Sequence, residues 1–255
     1  MAAREYPYLY RGSNGDAIRL HEEELWEKSF RENVCCARAI EEEIRQRADP
    51  NDPSFLPDDC IAPVLEQYGF KRVSYVLAHT VKENDAIPAL RSLVSEEARE
   101  WANRQNVIPD ASYGRYYEVD AATADVNRLV RQTQEAYRSL NLFGHEHCAA
   151  GMYDGSVKYK VLVLSPDTLK ESAWTPQSQL WLATGGFGCD PKASGRAIYA
   201  TCLGDGEESR WNREDFIGVL DEQNLPEWAK EKLETLRAPK QDHHTAPAMG
   251  GMEMG

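Results

Sequence analysis

The spacing of apolar residues changes near residue 150, and this change constrains the fold more than any other feature of the sequence. Before it, apolar residues recur every three or four positions, as they do on the buried face of a helix. After it, short runs rich in β-branched and aromatic residues alternate with turns that contain Gly and Pro. We therefore predict an α+β protein of two modules, residues 1–150 and 151–236, followed by a disordered tail, residues 237–255.

Residues 16–47 predict one long helix, because a single apolar stripe runs through them: Trp26, Phe30, Val34, Ala37, Ile40 and Ile44. Two prolines in residues 48–54 end this helix. Shorter helices are predicted over residues 60–68, with Gly69 as the C-cap, and over residues 88–105 and 122–140.

Two runs in the first module predict strands. Residues 72–79 are rich in β-forming side chains and partly alternate, and residues 115–119 form a shorter run of the same kind. The first module is therefore expected to be helix-dominated, with a small sheet.

The second module predicts an antiparallel meander. Its strand-like runs are residues 158–165, 179–184 and 196–203, and a Gly-Asp-Gly turn then leads as a hairpin into residues 209–212. Residues 225–233 predict a closing helix, with Pro226 suited to its first turn.

Charge and cysteine usage restrict the partners and the compartment. The net charge of −13 opposes binding to bare nucleic acid and suits a basic protein partner, including a nucleic-acid-binding protein. No segment is apolar enough to span a membrane or to act as a secretion signal. The six cysteines have no framework spacing, so we expect reduced thiols and a cytoplasmic protein.

Several segments of the first module resemble one family of unknown function. They are Tyr6-Pro-Tyr-Leu-Tyr, Trp26-Glu-Lys-Ser-Phe, the run from Tyr68 to Thr80, Ser95-Glu-Glu-Ala-Arg-Glu-Trp-Ala, Gln132-Thr-Gln-Glu-Ala-Tyr and Phe143-Gly-His-Glu-His-Cys. Over residues 6–150 the chain is similar to domain of unknown function 3849, which occurs in integrative and conjugative elements of Firmicutes. The resemblance implies a mobile-element context and supplies no catalytic residues.

The second half resembles a segment that other cargo proteins of conjugative elements share. The similar parts are the run from Leu180 to Pro191, Ser194-Gly-Arg-Ala, Asp205-Gly-Glu and Arg210-Trp-Asn-Arg-Glu-Asp-Phe. This likeness again implies an accessory protein of a mobile element.

The segment from His145 to Cys148 is the densest cluster of metal-ligand types. His145, His147 and Cys148 could begin a zinc site, although a closed site needs a fourth ligand from elsewhere. Cys148 with His147 could alternatively form a nucleophile and its base. The simpler interpretations are a polar helix end and a buried, inert cysteine.

The loop from Thr184 to Pro191 is the predicted binding surface of the second module. Its glycines could expose backbone N–H groups to a phosphate, present Phe187 to a partner, or simply allow a wide hairpin connection. Arg196 and Trp211 are further candidates for binding a partner. The alternative for Arg196 is a cross-strand ion pair, and the alternative for Trp211 is packing under the sheet. The candidate binding residues are Gly185, Gly186, Phe187, Gly188, Arg196 and Trp211.

Three functions are compatible with these features. We expect a non-catalytic accessory protein that binds a host or element protein, in a role that could include blunting a host defence. The alternatives are a hydrolase dependent on Cys and His or on a metal, and a structural or regulatory protein of conjugation. No cofactor motif is present in the sequence.

Overall fold

A computed structural model describes residues 6–47, 56–105, 107, 117–149, 155–169 and 174–237. Helices dominate the first half, and a five-stranded antiparallel sheet with a final helix forms the second, which confirms the α+β class. Residues 150–154, at the predicted boundary of the modules, and the predicted tail of residues 237–255 apart from Arg237 lie outside the described residues.

The helices of the first module pack around one central helix, α3. This helix contacts α2, α5 and α6, and the apolar cluster around it extends along the chain from Leu9 to Val130. The bounds are α1 (Asn14–Leu20), α2 (Glu23–Arg47), α3 (Ala62–Ala86), α4 (Pro88–Arg91), α5 (Glu96–Arg104) and α6 (Thr123–Arg138).

The predicted strand over residues 72–79 was wrong, because these residues form the centre of α3. Gly69 does interrupt the helix as predicted, with a positive φ of 77°, but a second helical stretch follows it instead of a strand. Nearly every side chain from Arg72 to Val81 is buried, so the sequence of this segment lacks the alternation of apolar and polar faces that marks a surface helix. Packing on all sides thereby overrides the strand preference of the valines and tyrosine.

Two predicted helices are each divided. The predicted helix over residues 16–47 breaks at His21, whose left-handed backbone (φ 56°) ends α1 before α2 begins. The predicted helix over residues 88–105 is α4 and α5, because Ser95 accepts a hydrogen bond from Ala98 N–H and starts a new helix. No strand occurs in the described part of residues 6–147, and residues 117–119 of the second predicted strand form a turn and an irregular segment.

The second module is a meander of five antiparallel strands in the order β4-β3-β2-β1-β5. The predicted runs correspond to β1 to β4, and β3 and β4 form the predicted hairpin. The bounds are β1 (Val161–Leu164), β2 (Leu180–Gly185), β3 (Ala197–Cys202), β4 (Glu208–Asn212) and β5 (Phe216–Val219), with the one-turn helix α7 (Pro176–Gln179) before β2 and the closing helix α8 (Glu227–Arg237).

Strand β1 is buried on both faces of the sheet. Leu162 and Leu164 join one apolar cluster, while Val161 and Val163 join a second cluster with residues of α8. Strand β5 was not predicted from the sequence. It pairs with β1 and not with its sequence neighbour β4. Its four residues carry no hairpin signal, so only this long-range pairing identifies them as a strand.

A carboxylate of the sheet module caps the broken central helix of the first module. Asp167, in the turn after β1, accepts hydrogen bonds from Phe70 N–H (2.9 Å) and Lys71 N–H (2.7 Å). These are the first N–H groups after the Gly69 break, so Asp167 acts as an N-cap supplied from a distant segment. Burial raises the pKa of the Asp167 carboxyl, although Lys71 and the two N–H groups act in the opposite direction.

Replacing Gly69 by Ala is expected to destabilise the protein by about 2–4 kcal/mol. Gly69 has a positive φ, and an added Cβ would lie 2.7 Å from Oδ2 of Asp167. Urea denaturation measures the loss. Gly185→Ala is the matched control, because that Cβ would meet nothing within 4 Å, and equal losses in the two variants would contradict this account.

Candidate functional site

The glycines of the predicted loop serve close backbone packing. Gly186 has a φ of 101°, and a Cβ there would lie 2.2 Å from the carbonyl oxygen of Ala197. A Cβ on Gly188 would lie equally close to the carbonyl oxygen of Arg196. Side chains at these two positions would push the loop away from β3, so the glycines have a structural role here.

Arg213 holds the same loop from inside. Its guanidinium donates to the carbonyl oxygens of Gly188 (2.8 Å) and Asp190 (2.6 Å), with longer contacts to three further carbonyls. The N–H groups of Cys189 and Asp190 bond within the turn. The loop carbonyls bond to the Arg213 guanidinium, and the N–H groups of Cys189 and Asp190 bond to other loop carbonyls. Because these N–H groups are already used, the geometry does not favour a phosphate nest.

Phe187 lies at the tip of this loop and is 78% exposed. Two more exposed aromatic residues belong to segments that meet β2 at the same end, Tyr159 (61%) and Tyr199 (53%). The N–H of Tyr159 bonds to the carbonyl of Ala183, and Tyr199 pairs directly with Gly185. We call Tyr159, Phe187 and Tyr199 the aromatic surface.

Three charged side chains beside the aromatic surface are basic, and Glu208 lies on the same face of β4 as one of them, Arg210. The Lys158 ammonium lies 4.8 Å from the centre of the Tyr159 ring, and exposed Lys160 follows. Arg210 is exposed and pairs with Tyr199 across β3 and β4, so the two side chains share a face. The sequence could not show this cluster, because it depends on strand register.

The side chains of Arg196 and Trp211, both predicted as binding residues, contact other parts of the fold. Arg196 forms ion pairs with Glu22 of the first module and with Glu214 (3.0 Å), and stacks over the ring of Tyr10. Trp211 packs edge-on against Trp181 in a core of the sheet. Both therefore make contacts that hold the fold together.

Cys148 and His147 do not form a nucleophile and base in this structure. The Cys148 thiol is directed at the carbonyl of Gly144 (3.6 Å), and burial raises its pKa to about 12. Nδ1 of His147 accepts the Gly144 N–H (3.0 Å), which occupies that nitrogen. A thiol that is protonated at neutral pH is a poor nucleophile.

The predicted metal trio of His145, His147 and Cys148 does not bring its ligand atoms together. Within the described residues, the group whose ligand atoms all lie within 4.8 Å of one another is His79, Glu83 and Glu118. His79 and Glu83 are one turn apart on α3, and Glu118 comes from the segment before α6. The His-x-x-x-Glu spacing could have revealed the first two, but the strand assignment concealed it.

Two clefts lie between the modules, and Arg11 lines both of them. The first has a volume of about 210 Å³ and is bounded by residues that include His145, Gln105 and Ser165. The second, of about 610 Å³, is bounded by Arg19, Lys192 and Arg213 among others. Burial together with the charges of Arg11 and Arg104 lowers the pKa of His145 to about 3, so its imidazole is neutral at pH 7.

Only one cysteine should react rapidly in the native protein. All six are unpaired; Cys35 is exposed, whereas Cys148 is largely enclosed and has a raised pKa. A disulfide-exchange reagent should therefore give one fast thiol at pH 7.5 and six after denaturation. Cys35→Ser should remove the fast phase and Cys148→Ser should not; the reverse result would indicate an activated Cys148.

None of the described helices is both long and apolar enough to cross a membrane. Comparison with curated proteins gave no match, and comparison with solved structures gave none either. One family model does match, over residues 9–138, in agreement with the resemblance seen in the sequence, and its description is "Protein of unknown function (DUF3849)". Because this match covers more than half of the 255 residues, the chain belongs to the DUF3849 family.

Proposed function

We propose that this protein is a non-catalytic binding protein that receives a protein partner on the aromatic surface. The observation that carries the proposal is the exposure of Tyr159, Phe187 and Tyr199 on segments that meet at one end of β2. Scattered apolar side chains are normal on a protein surface, but grouped exposed aromatics mark interaction sites. Tyrosine in particular is enriched among the residues that dominate binding energy.

The construction of the loop also supports a binding role. Arg213 and the two close-packed glycines fix the backbone beneath Phe187, and Gly195 lies directly against its Cβ. A rigid loop loses little conformational entropy when a partner binds, so an exposed ring held in this way contributes more of its contact energy to affinity.

The charges around the aromatic surface favour a partner with an acidic or neutral contact face. Lys158, Lys160 and Arg210 are basic, whereas the whole chain carries a charge of −13. A basic, nucleic-acid-binding partner, suggested by the net charge, would instead contact an acidic face of the molecule. Direct binding to duplex nucleic acid is disfavoured, because the net charge opposes the release of counterions.

The proposed setting is the cytoplasm of a bacterium that carries a conjugative element. The sequence likeness of both halves to proteins of such elements motivates this setting, and an accessory role that includes counteracting a host defence is consistent with a binding protein. Neighbouring anti-restriction genes would support the defence role, while neighbouring transfer genes would favour a role in conjugation.

A metal-dependent hydrolase is the second candidate, because His79, Glu83 and Glu118 bring three ligand types together. An imidazole and carboxylates suit several divalent transition metals. Metal analysis of protein purified without chelators, for wild type and Glu83→Gln, tests this candidate. Stoichiometric metal in wild type that is lost in the variant would support it, and a metal-free wild type that gains none from added zinc or manganese would exclude it.

Phe187→Ala and Tyr199→Ala should each weaken binding of the partner at least tenfold, because truncation removes an exposed aromatic anchor. Their free energies of unfolding should change by less than about 1 kcal/mol, since neither ring is buried. Leu93→Ala is the matched control, because Leu93 is 58% exposed but belongs to the helical module.

The partner is identified by quantitative capture from nuclease-treated host lysate, and its affinity is then measured with purified protein. Proteins retained equally by wild type, Leu93→Ala and both aromatic variants would contradict the proposal. Proteins that are captured from untreated lysate but not from nuclease-treated lysate would show that nucleic acid, and not a protein, is the ligand.

A further inference from the structure

Four arginines show how this protein accommodates partly or fully buried guanidinium groups. Arg72 donates to Asn33 and to three backbone carbonyls, and Arg213 donates to carbonyls of the loop it holds. Arg196 pairs with two carboxylates. Arg11 differs from these three, since it has no hydrogen-bond or ion-pair partner among the described residues.

The unpartnered atoms of Arg11 are Nε and Nη1, and both are buried. Arg11 interacts electrostatically with Asp167, but both oxygens of that carboxylate already accept N–H groups of the central helix. A buried guanidinium without a hydrogen-bonded anion is unfavourable, because burial removes its hydration. An acceptor from outside the chain would relieve this cost.

Two further donors around the same cavity lack acceptors in the described structure. They are Nε2 of Gln105, a residue that is 4% exposed, and the hydroxyl of Ser165, which is 1% exposed. Both residues line the 210 Å³ cavity together with Arg11. Buried donors are normally satisfied, so several unsatisfied donors around one cavity point to a ligand rich in acceptors.

The charges of the cavity are divided between its interior and its rim. The acidic lining residues Glu97, Glu100 and Glu146 are exposed, and so are the basic lining residues Arg104 and Arg138. The less exposed charged residues are Arg11 and Lys71, and Lys71 has an acidic partner in Asp215 (3.7 Å). The inner part of the cavity therefore holds one cation that lacks a bonded anion.

We propose that this cavity binds a small oxyanion, with the guanidinium of Arg11, the amide of Gln105 and the hydroxyl of Ser165 as its donors. The oxyanion is either a free ion such as phosphate or the phosphate or carboxylate group of a small metabolite. The volume lies below the roughly 300–1,000 Å³ of pockets for drug-sized ligands, which limits the enclosed part to a group of this size.

Such a ligand would connect the two modules. Arg11 and Gln105 belong to the helical module, whereas Ser165 follows β1 in the sheet module. An oxyanion here accepts from both sides, so its binding should stabilise the whole chain by mass action.

Calorimetry and thermal denaturation of the full chain with inorganic phosphate, acetate and, as a control, chloride test the proposal. Phosphate or acetate should raise the melting temperature at constant ionic strength, and chloride should not. A preference for phosphate indicates a phosphate ligand and a preference for acetate a carboxylate. The ring signals of His145 in NMR spectra, assigned with His145→Gln, should shift on addition of the bound anion.

Arg11→Met distinguishes a binding role from a structural one. Without anion, its melting temperature should stay close to that of wild type, because the substitution removes the desolvation cost of the guanidinium together with its electrostatic attraction to Asp167. Its affinity for the anion should fall at least tenfold. Ser165→Ala serves as a second variant with a smaller truncation, and should weaken binding several-fold without loss of stability.

Two control variants separate this cavity from other basic positions. Arg131→Met removes an exposed arginine that lines neither cleft, and Lys192→Met removes a lysine that lines only the larger cleft. Both should bind the anion like wild type. The proposal is wrong if wild type binds neither anion, or if Arg11→Met and Ser165→Ala bind as tightly as the controls.

Discussion

The carboxylate of Asp167 connects the two halves of this protein at the point where the central helix is broken. A helix that restarts after Gly69 exposes new N–H groups inside the molecule, and these must find acceptors. Asp167 supplies them from the turn after β1, and Gly69 leaves the space that its carboxylate occupies. The interaction therefore fixes the end of β1 against the start of the second half of α3, where Phe70 and Lys71 line the smaller cleft.

Much of the fold could be predicted because its signals are local. The stripe that forms α2, the strand runs of β1 to β3 and the hairpin before β4 each lie within one short segment. The centre of α3 could not be predicted in the same way, because residues buried on every side lose helical periodicity and leave only their preference for strands. Strand β5 was missed for a related reason, since its pairing partner β1 lies some fifty residues earlier in the chain.

The candidate sites were less predictable than the fold. Phe187 could be identified from glycines in its own loop, but Tyr159 and Tyr199 join it only through strand pairing. The residue types in His145-Glu-His-Cys suggested a metal site or a cysteine nucleophile. In the structure the Cys148 thiol and His147 Nδ1 both bond to Gly144, and burial raises the pKa of Cys148. Arg11 carries no signal in the sequence, because what distinguishes it is a missing partner, and partners are decided by the tertiary structure.

The two proposed sites lie at opposite ends of β1, an interior strand of the sheet. Tyr159 precedes β1 and Ser165 follows it, and the four residues of the strand span about 13 Å. Strand β1 is paired on both edges and buried on both faces, so it is among the parts of the molecule least able to deform. An oxyanion near Ser165 could influence a partner near Tyr159 only if the whole sheet module moved relative to the helices, and the Asp167 cap opposes that movement. The cavity and the aromatic surface should consequently act independently, with the oxyanion contributing to the stability of the module contact and the aromatic surface to the choice of partner.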